Sequence, residues 1–486
     1  MKTMKFLTLA ALALTFAACS SDDNDIIQQP ARQPAEITIT ATIDAKDGAM
    51  TRASMNDDND NIWVRWEDTD EFAILFNDGT TEVKRIATVV SSTITSSKAT
   101  ITFTVPATLG DNTDCKIVYP ATAANATNDG GQTYAELMAT QDGELSDKLD
   151  VRYGTGTINK GTATLSVNPD WTQQFAIFKF TLSGTAIDAT HPLYIKDGSD
   201  DVVTTVTPTT SRQVIYVAMP ANGVSTTYKF QAETANNIIV KSGPATIYPG
   251  TFYKTRLNTP GLGDLYYSDG SYSSTLQTGK TPIGVIAYLG NDGCVESKAN
   301  GGGHGLVLCL RNASDEAEGM EWSRENVSNF AGQEVTDFDG LMRTENVSGY
   351  TNTAALTEEE IADQYPAASA AKNYATLPAP ASTTGWFLPS AQQWVKVQMG
   401  LGRLKDGEIS WDNYSGGVFA TAWWDEAMSK AGAINYDRMT IENMNYWTSS
   451  ESSASEVVVL GYDSAGFTWK TCRKWDYCHV RPMLAF

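Results

Sequence analysis

Histidine and cysteine are the side chains that most often perform acid-base or nucleophilic chemistry near neutral pH, and this sequence holds few of them. Its three histidines are His191, His304 and His479. His304 lies in the glycine-rich run 301–305 and is soon followed by Cys309, so a Cys–His nucleophile pair is one interpretation. Because both residues belong to one extended segment, their side chains are expected to point to opposite faces. A structural histidine at a strand entrance is the preferred interpretation.

No other pattern for catalysis or metal binding stands out. The run 301–305 lacks the Gly-Lys-Ser/Thr ending of a phosphate-binding loop, and no Cys-x-x-Cys occurs for a structural zinc. The Glu-Pro-Asn, Gln-Pro-Asp and Trp-Asn-Asp runs of calcium-dependent sugar binding are missing as well. The sequence therefore predicts a protein that is not an enzyme, with no cofactor and no metal site.

The cysteines divide into groups by position. Cys115 stands alone in its region and is the natural candidate for an unpaired thiol. Cys294 with Cys309, or Cys472 with Cys478, could form disulfides in an exported domain. Spacing alone does not establish this connectivity.

Aromatic side chains are abundant, with 12 Trp, 20 Tyr and 16 Phe. Their apolar faces can stack on sugar rings while neighbouring amides and carboxylates bind the hydroxyl groups. The candidates for ligand binding are Trp423, Trp424, Trp411 and Trp475, with Tyr414, Trp469 and Tyr477 as further possibilities. The adjacent pair is the most informative, because two neighbours are rarely both buried. Core packing is the alternative for each tryptophan.

The N-terminal residues have the composition of an export signal. Two lysines precede the apolar run Phe6 to Phe16, which is too short to span a bilayer, and Cys19 follows two alanines. Residues 1–18 resemble a lipoprotein signal with its lipobox. The resemblance implies acylation of Cys19 and attachment to the outer membrane through the lipid alone. Within 19–35, the acidic run 20–25 resembles a surface-export signal, and an ordinary solvated linker is the alternative.

Length and charge limit the partners. The 486 residues carry a formal net charge of −22, which repels nucleic acid and anionic lipid headgroups. The chain is too long for one ordinary core, so two or three domains are expected. No second apolar run long enough to cross a membrane follows the signal.

Period-two alternation of apolar and polar residues predicts β-strands between residues 36 and 257. In the first strand the apolar side chains that share one face are Ile37, Ile39, Ala41 and Ile43. Later strands recur at short intervals between Gly, Pro, Asn and Asp, as is typical of β-sandwiches. The strands are too many for one sandwich, so we expect two, over 36–168 and 169–258, with a boundary near 168–173.

Several segments of this region resemble the fimbrillin family, namely residues 36–43, 51–53, 66–72 and 250–253. The resemblance implies tandem transthyretin-like β-sandwiches. It also implies cleavage after a basic residue, with Arg52 as the best candidate, and replacement of the first strand by a partner's strand. The side chains that would fill the core in that strand are Ile37, Ile39, Ala41 and Ile43. The alternative is that Arg52 is an exposed loop residue and the first strand stays in place.

Helical signals occur only after residue 262. A capping box is predicted at Thr357 with Glu360, in a helix that Pro366 interrupts, and a second at Ser390 with Gln393. An apolar stripe follows the second box at helical spacing and consists of Trp394, Val397, Leu401 and Leu404. Region 262–486 resembles the FISUMP-type major paralogous domain in residues 264–270, 281–284, 304–307, 385–390, 446–451 and 480–486. The resemblance implies a mixed α/β fold related to C-type lectins.

These features predict a mainly β, surface-exposed outer-membrane lipoprotein of the fimbrillin class. The expected role is that of a fimbrial tip or accessory adhesin, which binds a glycan or a host surface protein through its C-terminal domain and other fimbrial subunits by strand addition. A tip position is expected because the chain ends inside a domain motif and has no obvious strand to donate. The alternative is a lipid-anchored polysaccharide-binding protein that does not polymerise.

Overall fold

The computed structural model describes residues 36–44, 56–57, 62–63, 66–95, 98–234, 237–291, 293–297, 301–314, 319–324, 348–405, 409, 423–432, 435–463 and 466–486. Four residues singled out from the sequence lie outside these ranges, namely Cys19, Arg52, Trp411 and Tyr414. Within the ranges the fold is mainly β and is divided among several sheets.

The first region forms a sheet that closes on itself. Its strands are β1 (Glu36–Asp44), β2 (Asn56–Asp57), β3 (Ile62–Trp63), β4 (Glu71–Asn77), β5 (Glu82–Val89), β6 (Lys98–Pro106), β7 (Thr113–Tyr119), β8 (Thr140–Gln141), β9 (Arg152–Asn159), β10 (Thr164–Val167) and β11 (Thr172–Gln173). Short helical segments lie at Ser91–Thr93, Ala121–Ala123, α1 (Tyr134–Met138) and Asp147–Leu149. The strand order is β10-β1-β6-β5-β4-β7-β9-β11, and β10 also pairs with β9. The pairing of β10 with both β1 and β9 completes a ring in which β1 lies between β10 and β6.

Side-chain alternation makes β1 an inner wall of this ring. Ile39, Ala41 and Ile43 are buried, and the threonines between them are exposed. They pack in one core with large side chains from the rest of the ring, among them Trp66, Phe72, Phe103 and Trp171. Ile37 is partly buried at the margin of the same core.

The second region is a two-layered β-structure. Its strands are β12 (Phe175–Ser183), β13 (Leu193–Lys196), β14 (Val202–Val206), β15 (Val214–Pro220), β16 (Ser225–Glu233), β17 (Ile238–Thr246) and β18 (Phe252–Asn258). One sheet has the order β15-β12-β18 and the other β17-β16-β13-β14-β8. Alternate residues of β12, such as Phe178 and Phe180, lie in a core that both sheets share.

The first and second regions are joined by a core of their own. Phe175 and Ile177 lie on the other face of β12 and pack with Ala73 and Leu75 of β4. Strand β8 comes from the first region of the chain but pairs with β14 of the second. Strand β11 still belongs to the first sheet, so the change of sheet falls between Gln173 and Phe175.

The third region combines sheets with helices. Its strands are β19 (Leu265–Tyr267), β20 (Tyr272–Ser273), β21 (Pro282–Leu289), β22 (Gly305–Cys309), β23 (Met320–Glu321), β24 (Asn445–Glu451), β25 (Glu456–Asp463), β26 (Gly466–Arg473), β27 (Tyr477–Cys478) and β28 (Met483–Ala485). They form sheets of order β20-β19-β21-β22-β28 and β24-β25-β26, and a pair β23-β27. The helices are α2 (Gly349–Leu356), α3 (Pro366–Lys372) and α4 (Ala391–Met399), with a short 3-10 turn at Ala362–Gln364 and a further helical segment at 423–429.

The helix boundaries agree with one predicted capping box and correct the other. Ser390 is the N-cap of α4, and its side chain and that of Gln393 cap each other's backbone as predicted. Thr357 does not begin a helix but follows the last residue of α2, whose N-cap is Ser348. Pro366 does not interrupt a helix either; it is the first residue of α3, where the missing N–H of proline costs no hydrogen bond.

The second and third regions are joined by polar contacts. The Tyr272 hydroxyl donates to the carbonyl oxygens of Ile238 and Asn258 at 2.9 and 2.8 Å, and accepts from the N–H of Val240 at 3.2 Å. His304 Nε2 lies 2.9 Å from Glu233 Oε1 across the same boundary. Among the described residues, no helix is both long and apolar enough to cross a bilayer.

We predict that Ile39→Ala lowers the free energy of unfolding of the first region by about 2 to 5 kcal/mol, because it leaves a cavity in a fully packed core. Denaturant unfolding followed by tryptophan fluorescence measures this loss. Thr42→Ala is the matched control on the exposed face of β1 and should change stability by less than about 0.5 kcal/mol. Equal effects of the two substitutions would contradict the burial pattern of β1.

Candidate functional site

Strand β1 and its two neighbours form the first candidate site, which we call the β1 seam. β1 pairs antiparallel with β6 along its whole length, in a register that runs from Glu36 opposite Pro106 to Asp44 opposite Lys98. Its pairing with β10 is parallel and limited to Thr40 opposite Thr164. The Thr40 N–H donates to the carbonyl oxygen of Ala163 at 3.1 Å. One side of β1 is therefore held by many ladder hydrogen bonds and the other by few.

Ion pairs at both ends of β1 support its register. Asp44 Oδ2 lies 3.2 Å from Lys98 Nζ, and Glu36 Oε1 lies 3.3 Å from the guanidinium of Arg85. The other oxygen of Glu36 accepts from the Thr104 hydroxyl at 2.8 Å. Such exposed pairs contribute little to stability, so the register is set mainly by the buried side chains and the ladder.

The tryptophans proposed as ligand contacts have different environments. Trp424 is fully buried, stacks on Trp394 with ring centroids 5.9 Å apart and packs against Phe467 at 4.5 Å. It is a core residue, which corrects the expectation that it contacts a ligand. Trp423 is partly buried, and the Arg403 guanidinium lies 3.5 Å from its ring centroid. Its accessible face is thus already covered by a cation.

Residues 473–477, which we call the 475 turn, present the most exposed aromatic rings among these candidates. Trp475 is 40% exposed and Tyr477 is 55% exposed. Arg473 and Asp476 form an ion pair at 3.0 Å within the turn, and the Arg473 guanidinium lies 5.6 Å from the Trp475 ring centroid. Two apolar ring faces beside a hydrogen-bonding cation and anion match the chemistry of sugar recognition.

The 475 turn contains one member of a buried ion pair. Lys474 and Glu451 are both almost fully buried and their charged groups are in direct contact. The backbone N–H of Lys474 donates to the carbonyl oxygen of Ser455. The carbonyl oxygen of Lys474 accepts from the backbone N–H groups of Trp322 and Ser323. Removing one partner of such a pair leaves a buried charge uncompensated, so the pair holds the backbone of the turn in one position. Sequence reasoning missed this pair, since nothing in the sequence brings positions 451 and 474 together.

The five cysteines among the described residues are buried or half-buried. Burial raises the pKa of Cys115 and of Cys309 to about 12, so neither thiol is activated as a nucleophile. His304 contacts Glu233 of the second region and serves as a structural contact. Cys294 is buried as well. The thiols of Cys472 and Cys478 lie in hydrogen-bonding contact at the two ends of the 475 turn.

Metal binding has no support in the part of the chain that the structure describes. Among those residues, no group of three or more His, Cys, Asp or Glu side chains could hold a metal ion.

Comparison with known proteins gives distant structural neighbours. No protein-family model and no curated protein matches the chain. Among solved structures it is similar to a fimbrial protein from Bacteroides ovatus ATCC 8483, with a TM-score of 0.34 and 14% identity, covering 93% of this chain and 99% of that one. It is also similar to a protein from Bacteroides uniformis ATCC 8492 with a proposed role in cell adhesion, with a TM-score of 0.24 and 12% identity, covering 46% of this chain and 94% of that one. With identities this low, the function of this chain has to be argued from its own residues.

We predict that Trp424→Ala lowers the stability of the third region by about 3 to 5 kcal/mol, because a large buried ring is removed from a stacked cluster. Trp475→Ala is the exposed counterpart and should lower stability by less than about 1 kcal/mol. Urea denaturation of the two variants measures the difference. A large loss for Trp475→Ala would show that the ring is a packing residue and unavailable to a ligand.

Proposed function

We propose that this chain is a surface-exposed adhesin of the fimbrillin class. In this proposal the first region accepts a strand from a neighbouring subunit in place of β1, and the third region carries the ligand-binding surface. The observation that carries the proposal is that β1 closes the first sheet, with complete pairing to β6 and a single residue pair to β10. An adhesive, non-enzymatic role also fits the absence of a recognisable catalytic motif in the sequence.

Loss of β1 would create a strand-shaped vacancy. The edges of β6 and β10 would expose unpaired N–H and C=O groups, which readily pair with another strand. The sockets now filled by Ile39, Ala41 and Ile43 would open into the core. An incoming strand would restore both kinds of contact, since main-chain hydrogen bonds provide affinity and alternate side chains provide specificity. The best donor would place a small residue between two large aliphatic ones.

Cleavage after Arg52 is the proposed trigger. It would separate β1 from the rest of the ring and, with it, the N-terminal segment that carries Cys19. In this scheme acylation of Cys19 anchors the uncleaved protein in the outer membrane at the cell surface, and cleavage releases it for assembly. We place the subunit at a tip or accessory position, because a ligand-binding domain is useful only where the fibre leaves it exposed.

The 475 turn is the proposed ligand-binding surface. Trp475 and Tyr477 would stack on a glycan, or on an apolar group of a host surface protein, and Arg473 and Asp476 would bind its polar groups. Trp423 is a weaker candidate because Arg403 lies over its ring.

A second function follows from the same sheet. With its own β1 in place the ring is complete and offers no vacancy to a partner. A chain that keeps β1 would act as a lipid-anchored polysaccharide-binding protein that does not polymerise. The N-terminal residue of the protein on cells distinguishes the two functions: Ala53 supports assembly, and acylated Cys19 supports the free-standing receptor.

We predict that a chain starting at Ala53 binds a synthetic peptide of residues 36–44, because the peptide refills the core sockets and both sheet edges. Its melting temperature should rise with peptide concentration, as expected for a ligand that binds only the folded state. The control peptide carries Ile39→Asn and Ile43→Asn and should bind at least about tenfold more weakly. Equal affinity for both peptides, or unchanged stability without β1, would refute strand replacement.

We predict that the full chain binds a subset of sugars on a glycan array, and that Trp475→Ala and Tyr477→Ala each weaken this binding by about tenfold or more. Tyr248→Ala is the matched control, since Tyr248 is 56% exposed and lies in the second region. Binding that survives both turn substitutions would exclude the 475 turn as the glycan site. Absence of sugar binding would favour a protein ligand.

A further inference from the structure

Two cysteines enclose the 475 turn. Cys472 lies one residue before the end of β26, and Cys478 is the last residue of β27. Cys472 pairs with Val457 of β25, and Cys478 pairs with Met320 of β23. Both side chains pack on the same apolar cluster, Cys478 inside it and Cys472 at its margin. Their sulfur atoms are close enough for a thiol-thiol hydrogen bond.

The backbone between the cysteines is held in this arrangement. The Asp476 N–H donates to the carbonyl oxygen of Arg473 at 2.9 Å, and the Arg473 N–H donates to Asp476 Oδ2 at 3.1 Å. The buried contact of Lys474 with Glu451 fixes the middle of the turn. The fold therefore holds the backbone between the two cysteines in a conformation that places both side chains against the same apolar cluster.

We propose that Cys472 and Cys478 form a reversible disulfide that closes the 475 turn into a covalent ring. The sequence alone leaves this pairing open against Cys294 with Cys309, and the contact between the two sulfur atoms selects it. The oxidant is an external disulfide, of the kind that thiol-disulfide oxidoreductases supply in an exporting compartment.

The two thiols have different roles in the exchange. Cys472 is half-buried and reachable, whereas Cys478 is buried. The Cys478 thiol donates its hydrogen bond to Cys472, which lowers the pKa of Cys472 and raises that of Cys478. Cys472 is therefore the attacking thiolate and Cys478 the resolving thiol.

The reaction proceeds by two displacements. The Cys472 thiolate attacks one sulfur of the external disulfide, whose other sulfur leaves as a thiolate, and a mixed disulfide forms. Cys478 then loses its proton and attacks Cys472 Sγ, which forms the Cys472–Cys478 bond and expels the second external thiolate. The protein loses two hydrogens and two electrons, and the external disulfide becomes two thiols.

The ring would hold the proposed ligand-binding side chains in one arrangement. Trp475 and Tyr477 lie between the two cysteines, so oxidation restricts the backbone that presents them. This consequence rests on the proposed function of the turn, whereas the disulfide itself does not. Reduction should then weaken glycan binding, and mass spectrometry reads the disulfide whether or not a glycan binds.

To test the disulfide, the full chain is treated with oxidised glutathione, and the remaining thiols are blocked with iodoacetamide in denaturant. The protein is then digested with trypsin without reduction. Because trypsin cuts after Arg473, the two cysteines fall on different peptides. Because trypsin does not cut the Arg481–Pro482 bond, we expect peptide 471–473 joined to peptide 475–486, with a mass about 2 Da below the sum of the two thiol peptides. Cys115→Ser is the matched control and should leave this product unchanged.

Single substitutions test the assigned roles. Cys478→Ser should stop the reaction at a mixed disulfide of Cys472 with glutathione, and Cys472→Ser should leave Cys478 unmodified while the protein is folded. The proposal is overturned if both thiols are alkylated after oxidation, if wild-type Cys472 retains glutathione, or if either cysteine is joined to a different one.

Discussion

The ladder of hydrogen bonds between β1 and β6 is the interaction on which the first region depends. It places Ile39, Ala41 and Ile43 in the core and brings β1 against β10, so that the sheet closes. A closed sheet has no free edge to pair with other chains. The same strand has only one residue pair with β10. The first sheet is therefore a complete ring only while β1 occupies its place between β10 and β6.

Buried side chains and polar contacts join the three regions of the chain. Strand β12 is buried on both faces, with Phe178 in the second core and Ile177 in the core shared with the first region. Two residues of the third region contact the second region. The Tyr272 hydroxyl donates to the backbone carbonyl of Ile238, and His304 contacts the carboxylate of Glu233. In the third region, Lys474 of the 475 turn forms a buried ion pair with Glu451. Buried polar contacts of this kind hold one geometry.

Local patterns predicted the parts of this fold that depend on local physics. Alternation identified β1, because a strand with one face in a core must repeat every two residues. The box at Ser390 predicted the start of α4, because the cap is made by residues three apart. The capping box predicted at Thr357 was wrong, because Ser348 caps an earlier helix that ends just before Thr357. The prediction that Pro366 interrupts a helix was also wrong, because proline is as well suited to the first turn of a helix as it is disruptive in the interior.

The sequence by itself determined the strand-rich architecture, the alternate faces of β1 and the scarcity of groups for catalysis, since each follows from residue types and short-range spacing. Tertiary structure decided which tryptophans are available: Trp424 and Trp475 are equally aromatic, but one stacks on Trp394 and the other lies on an exposed turn. Tertiary structure also brought Cys472 and Cys478 to the same apolar cluster. It placed Glu451 beside Lys474, whose buried charge it compensates. Contacts between residues distant along the chain depend on how sheets pack, and no local pattern encodes that.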